Sequence, residues 1–177
     1  MSTIKEQMIT NATKAVQDGG VNSITMRTLG NSVGIKSASV MYHFNNKDGL
    51  INEMITSYHQ NFFNHLTYID STYDNPIDKL NQLVDVFIDV LNEDKFCLCG
   101  VLAMQNSYLN EDAKEKTNRF FLSLEKWVEN VLKEGKIDTN LTMVIIASLE
   151  GALLIDQLKK EPRHLEKTRL MINGLKS

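Results

Sequence analysis

The segment Thr25–Leu50, TMRTLGNSVGIKSASVMYHFNNKDGL, decides the fold of this chain. Four of its apolar residues recur at spacings that join two short helices around a tight turn: Leu29, Val33, Ile35 and Val40. Gly34 falls in that turn, where a left-handed or closely packed backbone position is needed. The pattern predicts a helix-turn-helix.

The outer side of the second short helix is polar, which suits an element lying against phosphates in a DNA major groove. It carries Lys36, Ser37, Ser39, Tyr42 and His43. Ala38 is small enough to let the backbone approach DNA, and its methyl can meet a thymine methyl. Thr25 and Thr28 offer hydroxyl and amide donors at the N-terminus of the preceding helix, which is a natural anion site. Lys47 lies in the same kind of position, at the start of the fourth helix. The alternative is a solvated helix surface, and His43 is equally explained by a bond to a local backbone group.

Outward from this segment the chain continues in helices. A chain of 177 residues with only 2 Pro and 9 Gly favours long helices over a many-turned β architecture. Capping residues and apolar periodicity predict helices over residues 3–18, 25–32, 36–43, 46–67, 76–91, 99–107, 110–135, 138–160 and 162–175. The sequence therefore predicts an all-α protein of about nine helices, in which three short N-terminal helices precede a long fourth one.

The amino-acid composition and the distribution of charge indicate a globular protein with one basic end. The chain is 42% hydrophobic and 23% charged, as in ordinary globular proteins. Its net charge of −3 divides unevenly, because residues 1–47 hold five cations and two anions, a net +3, which leaves −6 for the remainder. A basic head on an acidic body suits a protein that offers one end to phosphate. No secretory signal or membrane span is evident, so we expect a cytoplasmic protein.

The run GIKSASVMYHFNNKDGL resembles the recognition helix and following turn of the TetR/AcrR family of repressors. A glycine-hydrophobe turn, a serine-containing helix, a Tyr-His-Phe triplet and a Lys-x-x-Leu occur in the family's order, and the resemblance of the head covers about residues 4–55. It implies that Tyr42 and Lys47 contact phosphate and that Phe44 packs the head onto the fourth helix. Two departures are Gly30, where alanine is usual and where glycine should cost about 1 kcal/mol of helix stability, and Met41.

The resemblance also implies a DNA-binding domain over residues 1–48 and a helical ligand-binding and dimerisation domain over residues 49–177. Aromatic and methionine side chains suit an adaptable apolar pocket, although ordinary core packing explains each of them as well. The candidate pocket residues are Tyr58, Phe62, Phe87, Cys97, Cys99, Met104, Tyr108, Phe120, Phe121 and Trp127.

Cys97 and Cys99 permit three interpretations. They are a redox or electrophile sensor, part of a soft-metal site, or two small buried residues. Metal binding requires further ligands, and no Cys or His cluster lies nearby in the sequence, so we predict no metal and no cofactor.

The last two helices have more apolar surface than one core needs, which predicts a dimer interface. The residues assigned to it are Ile145, Leu149, Ala152, Leu153, Leu158, Leu165, Ile172 and Leu175. We therefore expect a non-enzymatic regulator, most consistent with a repressor, that binds a pseudo-palindromic operator as a homodimer and is released by a small-molecule inducer. The alternatives are an all-helical enzyme, for which no catalytic set is evident, and a helical interaction or small-molecule-binding protein without DNA activity.

Overall fold

The computed structural model describes residues 2–175 of the chain. Within that range the protein forms nine α-helices and no strand, which confirms the predicted all-α architecture. The helices are α1 (Ile4–Gly19), α2 (Met26–Ser32), α3 (Ser37–Phe44), α4 (Lys47–Thr72), α5 (Pro76–Asn92), α6 (Leu98–Met104), α7 (Glu111–Glu134), α8 (Leu141–Asp156) and α9 (Arg163–Asn173). Short 3₁₀ turns follow α1 and α6.

Most helix ends lie where capping chemistry predicts them. The side chain of Asn75 accepts hydrogen bonds from the first amides of α5, and Asn110 accepts one from Ala113 at the start of α7. Gly20 ends α1 with φ 76°, and its amide donates to Val16. Two predictions of length are wrong, because α4 extends to Thr72 and α8 ends at Asp156.

The chain divides into two compact units. The first comprises the chain up to Asn61 together with Leu98–Phe120, and the second comprises Phe62–Cys97 together with the chain from Phe121 onward. The domain boundary predicted between residues 48 and 49 lies in the first turn of α4, inside the first unit. It remains a prediction about the DNA-binding segment.

In the first unit, α6 and the turn after it pack on the N-terminal helices. The Gln105 side chain accepts a hydrogen bond of 2.7 Å from the Val21 amide, in the connection between α1 and α2. Gly20 makes room for it, since a β-carbon there would lie 2.3 Å from the Gln105 amide nitrogen. A residue 84 positions away thus fixes the segment that leads into α2.

In the second unit, α9 packs on α5 and α8. Its start is stabilised by the buried Asp156, which accepts hydrogen bonds of 2.9 Å from the amides of His164 and Leu165. Burial opposes ionisation of Asp156, but these bonds and the His164 imidazole hold the pKa of the carboxyl below its usual value. The helix begins directly after Pro162, as the sequence predicts, and the Asp156 carboxylate from the end of α8 supplies the side-chain acceptor for its first amides.

Candidate nucleic-acid interface

The turn between α2 and α3 depends on backbone geometry. Gly34 has φ 74°, and a β-carbon there would meet no atom within 4 Å. Of the two reasons considered for this glycine, the left-handed conformation is therefore the correct one. The Gly30 carbonyl accepts hydrogen bonds from the amides of Val33 and Ile35, which closes the turn.

Gly30 itself has a packing role that the sequence did not indicate. A β-carbon there would lie 2.7 Å from the Ile35 carbonyl oxygen and 3.3 Å from a Val40 methyl. The departure from the usual alanine therefore lets the start of α3 approach α2 closely. This close approach accounts for glycine in place of the usual alanine.

The start of α2 is a reciprocal capping box. The Thr25 hydroxyl accepts from the Thr28 amide at 3.0 Å, and the Thr28 hydroxyl accepts from the Thr25 amide at 3.0 Å. Both threonines are exposed. The two threonines therefore stabilise the N-terminus of α2. A contact of either threonine with phosphate remains a prediction.

The helix α3 has one buried and one exposed side. Val40 and Phe44 are buried at 0% and 2% exposure. The opposite side presents exposed residues with small or polar side chains: Lys36, Ser37, Ala38 and Ser39. Tyr42 is 86% exposed, whereas His43 is half-buried and its ring lies edge-on to Tyr42 with centroids 5.7 Å apart. Six of the nine predicted DNA-contacting residues thus lie on α3 or directly before it, and five of these six are exposed.

The connection between α3 and α4 orients this helix. Asn45 has φ 62°, the Asn46 side chain accepts from the Gly49 amide at 2.8 Å, and a β-carbon on Gly49 would lie only 2.0 Å from the Phe44 carbonyl oxygen. The Asn46 side chain therefore caps α4. The sequence did not indicate Gly49, because its role depends on the approach of the Phe44 carbonyl oxygen from the preceding helix.

Lys5 connects α1 to both α3 and α4. Its ammonium pairs with Glu53 of α4 at 2.7 Å and lies 5.7 Å from the centre of the Phe44 ring. Of the five cations in residues 1–47, Lys5 is the one for which an ion pair with another described residue is observed. Arg27, exposed in the first turn of α2, is a basic residue that the sequence assignment left out.

Similarity to known proteins identifies the family to which this helix-turn-helix protein belongs. Residues 9–54 match the profile of bacterial regulatory proteins of the tetR family. Residues 76–169, more than half of the chain, match the C-terminal domain of LmrA/YxaF-like transcriptional regulators. The chain belongs to the TetR family. Members of this family are non-enzymatic, DNA-binding transcription factors, which confirms the predicted class of protein.

Solved structures agree with this assignment. A TetR transcriptional regulator from Legionella pneumophila is 26% identical, with 98% of this chain and 97% of that chain covered and a TM-score of 0.93. A TetR-family regulator from Agrobacterium tumefaciens is 21% identical, covering 98% of each chain with a TM-score of 0.92. The reduced form of Escherichia coli NemR shares the fold at 16% identity and a TM-score of 0.83, over 97% and 96% of the two chains. No curated protein matches the chain by sequence.

The predicted ligand-pocket residues have mixed environments in this TetR-family chain. The buried ones are Phe87, Cys97, Cys99 and Phe120, and the half-buried ones are Tyr58, Phe62, Phe121 and Trp127. Met104 and Tyr108 are 66% and 59% exposed. In the first unit the rings of Tyr58 and Phe120 lie 5.6 Å apart, and in the second the Trp127 indole donates to Asp70 at 2.9 Å. Their role in ligand binding remains a prediction.

Cys97 lies against an acidic residue that the sequence assignment missed. Its thiol donates a hydrogen bond to the Glu150 carboxylate, and the other carboxylate oxygen is buried without a partner. Burial raises the pKa of Glu150 to about 7, although the bond from Cys97 opposes that rise. Cys97 and Cys99 are both buried, which favours the interpretation of buried thiols over that of a sensor. The described residues contain no cluster of three or more His, Cys, Asp or Glu that could hold a metal.

The residues predicted for a dimer interface lie mostly inside the single chain. Six are buried within it: Ile145, Leu149, Ala152, Leu153, Leu165 and Ile172. Leu158 is 84% exposed and Leu175 is half-buried. The opposite side of α8 and the turn that follows it carry the exposed apolar residues, which we call the α8 face: Met143, Val144, Ala147, Leu154, Ile155 and Leu158. The dimer interface itself remains a prediction.

Within the described residues, no helix has both the length and the apolar character required to cross a bilayer. The cytoplasmic location predicted from the sequence remains a prediction.

Proposed function

We propose that this TetR-family regulator is a repressor that binds a pseudo-palindromic operator as a homodimer and leaves it when a small-molecule inducer binds. The exposed side of α3 carries the proposal. Buried Val40 and Phe44 fix the helix on the unit, so that Tyr42, Ser37 and Ser39 project into solvent together. That arrangement matches the way a recognition helix lies in the major groove.

The operator is identified by footprinting the purified protein on genomic DNA. Affinity for the operator duplex is then measured between 50 and 200 mM salt, where we expect roughly a tenfold loss or more because phosphate contacts release counterions. Lys47→Ala should reduce the salt slope by about 1 for each subunit that contacts DNA. Lys126→Ala, at an exposed position of α7 in the second unit, is the matched control and should leave the slope unchanged.

A helical interaction or small-molecule-binding protein without DNA activity gives the opposite result. Its binding to duplex DNA would show no salt slope for Lys47→Ala to change. That outcome would overturn the proposed function while leaving the family assignment intact.

The proposed inducer response requires that a structural change reach α3. Within the first unit, Gln105 provides a connection that could transmit it, a route from α6 to the helix-turn-helix. Its bond to Val21 fixes the connection into α2, so a shift of α6 would move the helix-turn-helix. Gln105→Ala should weaken operator binding several-fold without inducer, since Val21 loses its acceptor. Unchanged operator affinity would remove Gln105 from the route.

The proposed dimer uses the α8 face. Five of its large side chains are between 47% and 84% exposed, and contiguous apolar surface of this kind is typical of interaction sites. Sedimentation of the wild type should show a dimer, and Leu154→Glu should produce a monomer. A monomeric wild type that binds DNA would contradict the proposed homodimer.

A further inference from the structure

A cleft lies between α7 and the start of α8, within the second unit. Its volume is about 240 Å³, and it is lined by acidic residues, polar residues and one methionine: Glu125, Glu129, Thr139, Asn140, Thr142 and Met143. These six residues differ from those predicted to contact DNA or to line the inducer pocket, and only Met143 is shared with the α8 face. The proposed function therefore leaves this cleft without a role.

The hydroxyl group of Thr142 indicates that the cleft accommodates a polar ligand. Three threonines are buried among the described residues, and two of them, Thr117 and Thr168, donate to the carbonyl four residues earlier at 2.8 and 3.1 Å. Thr142 is only 7% exposed, yet its hydroxyl oxygen is buried without a hydrogen-bond partner in that same part of the chain. Buried polar groups are normally hydrogen-bonded, so an unpartnered hydroxyl in the wall of a cleft points to a ligand.

Two carboxylates determine the charge of that ligand. Glu125 and Glu129 are half-buried and lie one turn apart on α7, so their side chains are neighbours on one side of the helix. Glu129 pairs with Lys133 at 2.5 Å, whereas no ion pair with another residue of the range 2–175 is observed for Glu125. Two carboxylates and one lysine leave a net charge of −1, which favours a monovalent cation.

The N-terminus of α8 opposes a cation, because the first amides of a helix carry about half a positive charge. Asp138 offsets this charge, since its carboxylate accepts a hydrogen bond of 3.0 Å from the Asn140 amide. The Asn140 side chain forms no capping bond to α8, so its amide oxygen adds an acceptor to the cleft. The cleft thus remains acidic where the two helices meet.

A primary ammonium group matches these acceptors better than a metal ion does. It has three N–H donors, one for each of Glu125, Glu129 and Thr142. Calcium takes about six to eight oxygen ligands, and the described residues contain no cluster of three or more His, Cys, Asp or Glu that could hold a metal. The volume is also below the range of about 300 to 1,000 Å³ that is typical of drug-sized ligands. The cleft therefore suits a small organic cation.

Met143 supplies an apolar contact for the remainder of such a ligand. It lines the cleft and is 68% exposed. Its flexible, polarizable thioether adapts to alkyl groups of different shapes. A short alkyl chain on the ammonium group is therefore compatible with this lining.

We propose that the cleft binds a small alkyl primary amine in its ammonium form, held by Glu125, Glu129 and Thr142, with its alkyl chain on Met143. This ligand site goes beyond the proposed function. Its test requires neither DNA nor a second copy of the chain, so its failure would leave the proposed repressor intact. Failure of the repressor proposal would likewise leave this site intact.

The binding test is an NMR titration of the full chain with n-butylamine, in phosphate buffer at about pH 7, where the amine is protonated. The buffer must contain no amine, and ionic strength is held constant. We expect saturable shifts of the Glu129, Thr142 and Met143 amides with a dissociation constant of about 1 mM. 1-Butanol, which lacks the charge, and tetramethylammonium, which lacks N–H donors, should not produce them. Equal binding of either compound would overturn the proposed recognition of an ammonium group.

Substitutions test the individual contacts. Glu125→Gln should raise the dissociation constant about tenfold, because a charged acceptor is lost. Thr142→Val should raise it about three- to tenfold without lowering the free energy of unfolding of the ligand-free protein, since the hydroxyl has no partner among the described residues. Glu115→Gln is the matched control on α7, exposed outside the cleft and paired with Arg119, and should leave the constant unchanged.

Two results would overturn the proposal. One is unchanged affinity in both Glu125→Gln and Thr142→Val, with shifts at residues outside the cleft. The other is saturation of the same amides by Mg²⁺ but not by n-butylamine, which would assign the cleft to a metal ion.

Discussion

The helix-turn-helix segment and α8 both have one buried and one exposed side, but the chemical character of the exposed side differs between them. In α3 the exposed side is polar, and the buried side consists of Val40 and Phe44. In α8 both sides are apolar, with Leu149 and Leu153 buried and Val144 and Leu154 exposed. The difference teaches that a short DNA-contacting element is specified by local chemistry, whereas an apolar helix is oriented by its neighbours. The following predictions test this comparison, beginning with the largest effect.

Gly49→Ala should destabilise the protein by at least about 3 kcal/mol, because its β-carbon would lie 2.0 Å from the Phe44 carbonyl oxygen. The free energy of unfolding in urea measures this. Gly34→Ala is the control, since its β-carbon meets nothing and only the left-handed backbone is strained, at a cost of about 1 to 2 kcal/mol. Equal losses in the two variants would show that the contact with Phe44 does not constrain the head.

Glu150→Gln should stabilise the protein at pH 8 by on the order of 2 kcal/mol. The pKa of Glu150 is raised from 4.5 to about 7 in the folded chain, so the folded state binds more protons than the unfolded state between these values. Stability from this group is therefore lost as pH rises from 4.5 to 7, and glutamine does not titrate. Urea unfolding should show the two proteins converging near pH 4.5. A pH-independent difference would contradict the buried carboxyl as its cause.

Gly30→Ala should destabilise the protein by about 1 to 2 kcal/mol, although alanine alone would favour a helix by about 1 kcal/mol. The reason is the 2.7 Å approach of the new β-carbon to the Ile35 carbonyl oxygen. Thermal and urea unfolding both measure the change. A stabilised variant would show that α3 moves away from α2 at little cost.

Tyr42→Phe should lower operator affinity about five- to tenfold, through loss of a hydroxyl contact, while the free energy of unfolding changes by less than about 0.5 kcal/mol. Tyr42 is 86% exposed, so its hydroxyl contributes little to the fold. Fluorescence anisotropy at one salt concentration measures the affinity. Tyr68→Phe, 60% exposed on α4 in the second unit, should have no effect on it. Equal affinities of Tyr42→Phe and wild type would remove the Tyr42 hydroxyl from the interface.

Much of the fold was predictable because helix ends depend on a few neighbouring residues. Thr25, Asn75 and Asn110 each cap a helix as their types predict, and Gly20 ends α1. The end of α8 was predicted too late because Gln157 and Leu158 are compatible with a helix. Its actual end is fixed by Asp156, which bonds to the start of α9.

Within the candidate interface, residue types and spacing indicated the exposed side of α3. They did not indicate Gly49 or the packing role of Gly30, because both depend on an oxygen from a different element. Glu150 was missed for the same reason. A single acid in an apolar run shows its importance only when its neighbours, here Cys97, are known.

The sequence by itself determined the family, the nine helices found within residues 2–175 and the polar surface of α3, since capping, turn chemistry and a periodic pattern act over a few residues. Only the tertiary structure decided which side of α8 is buried, because a helix that is apolar on all sides carries no periodic signal and takes its orientation from the helices packed against it.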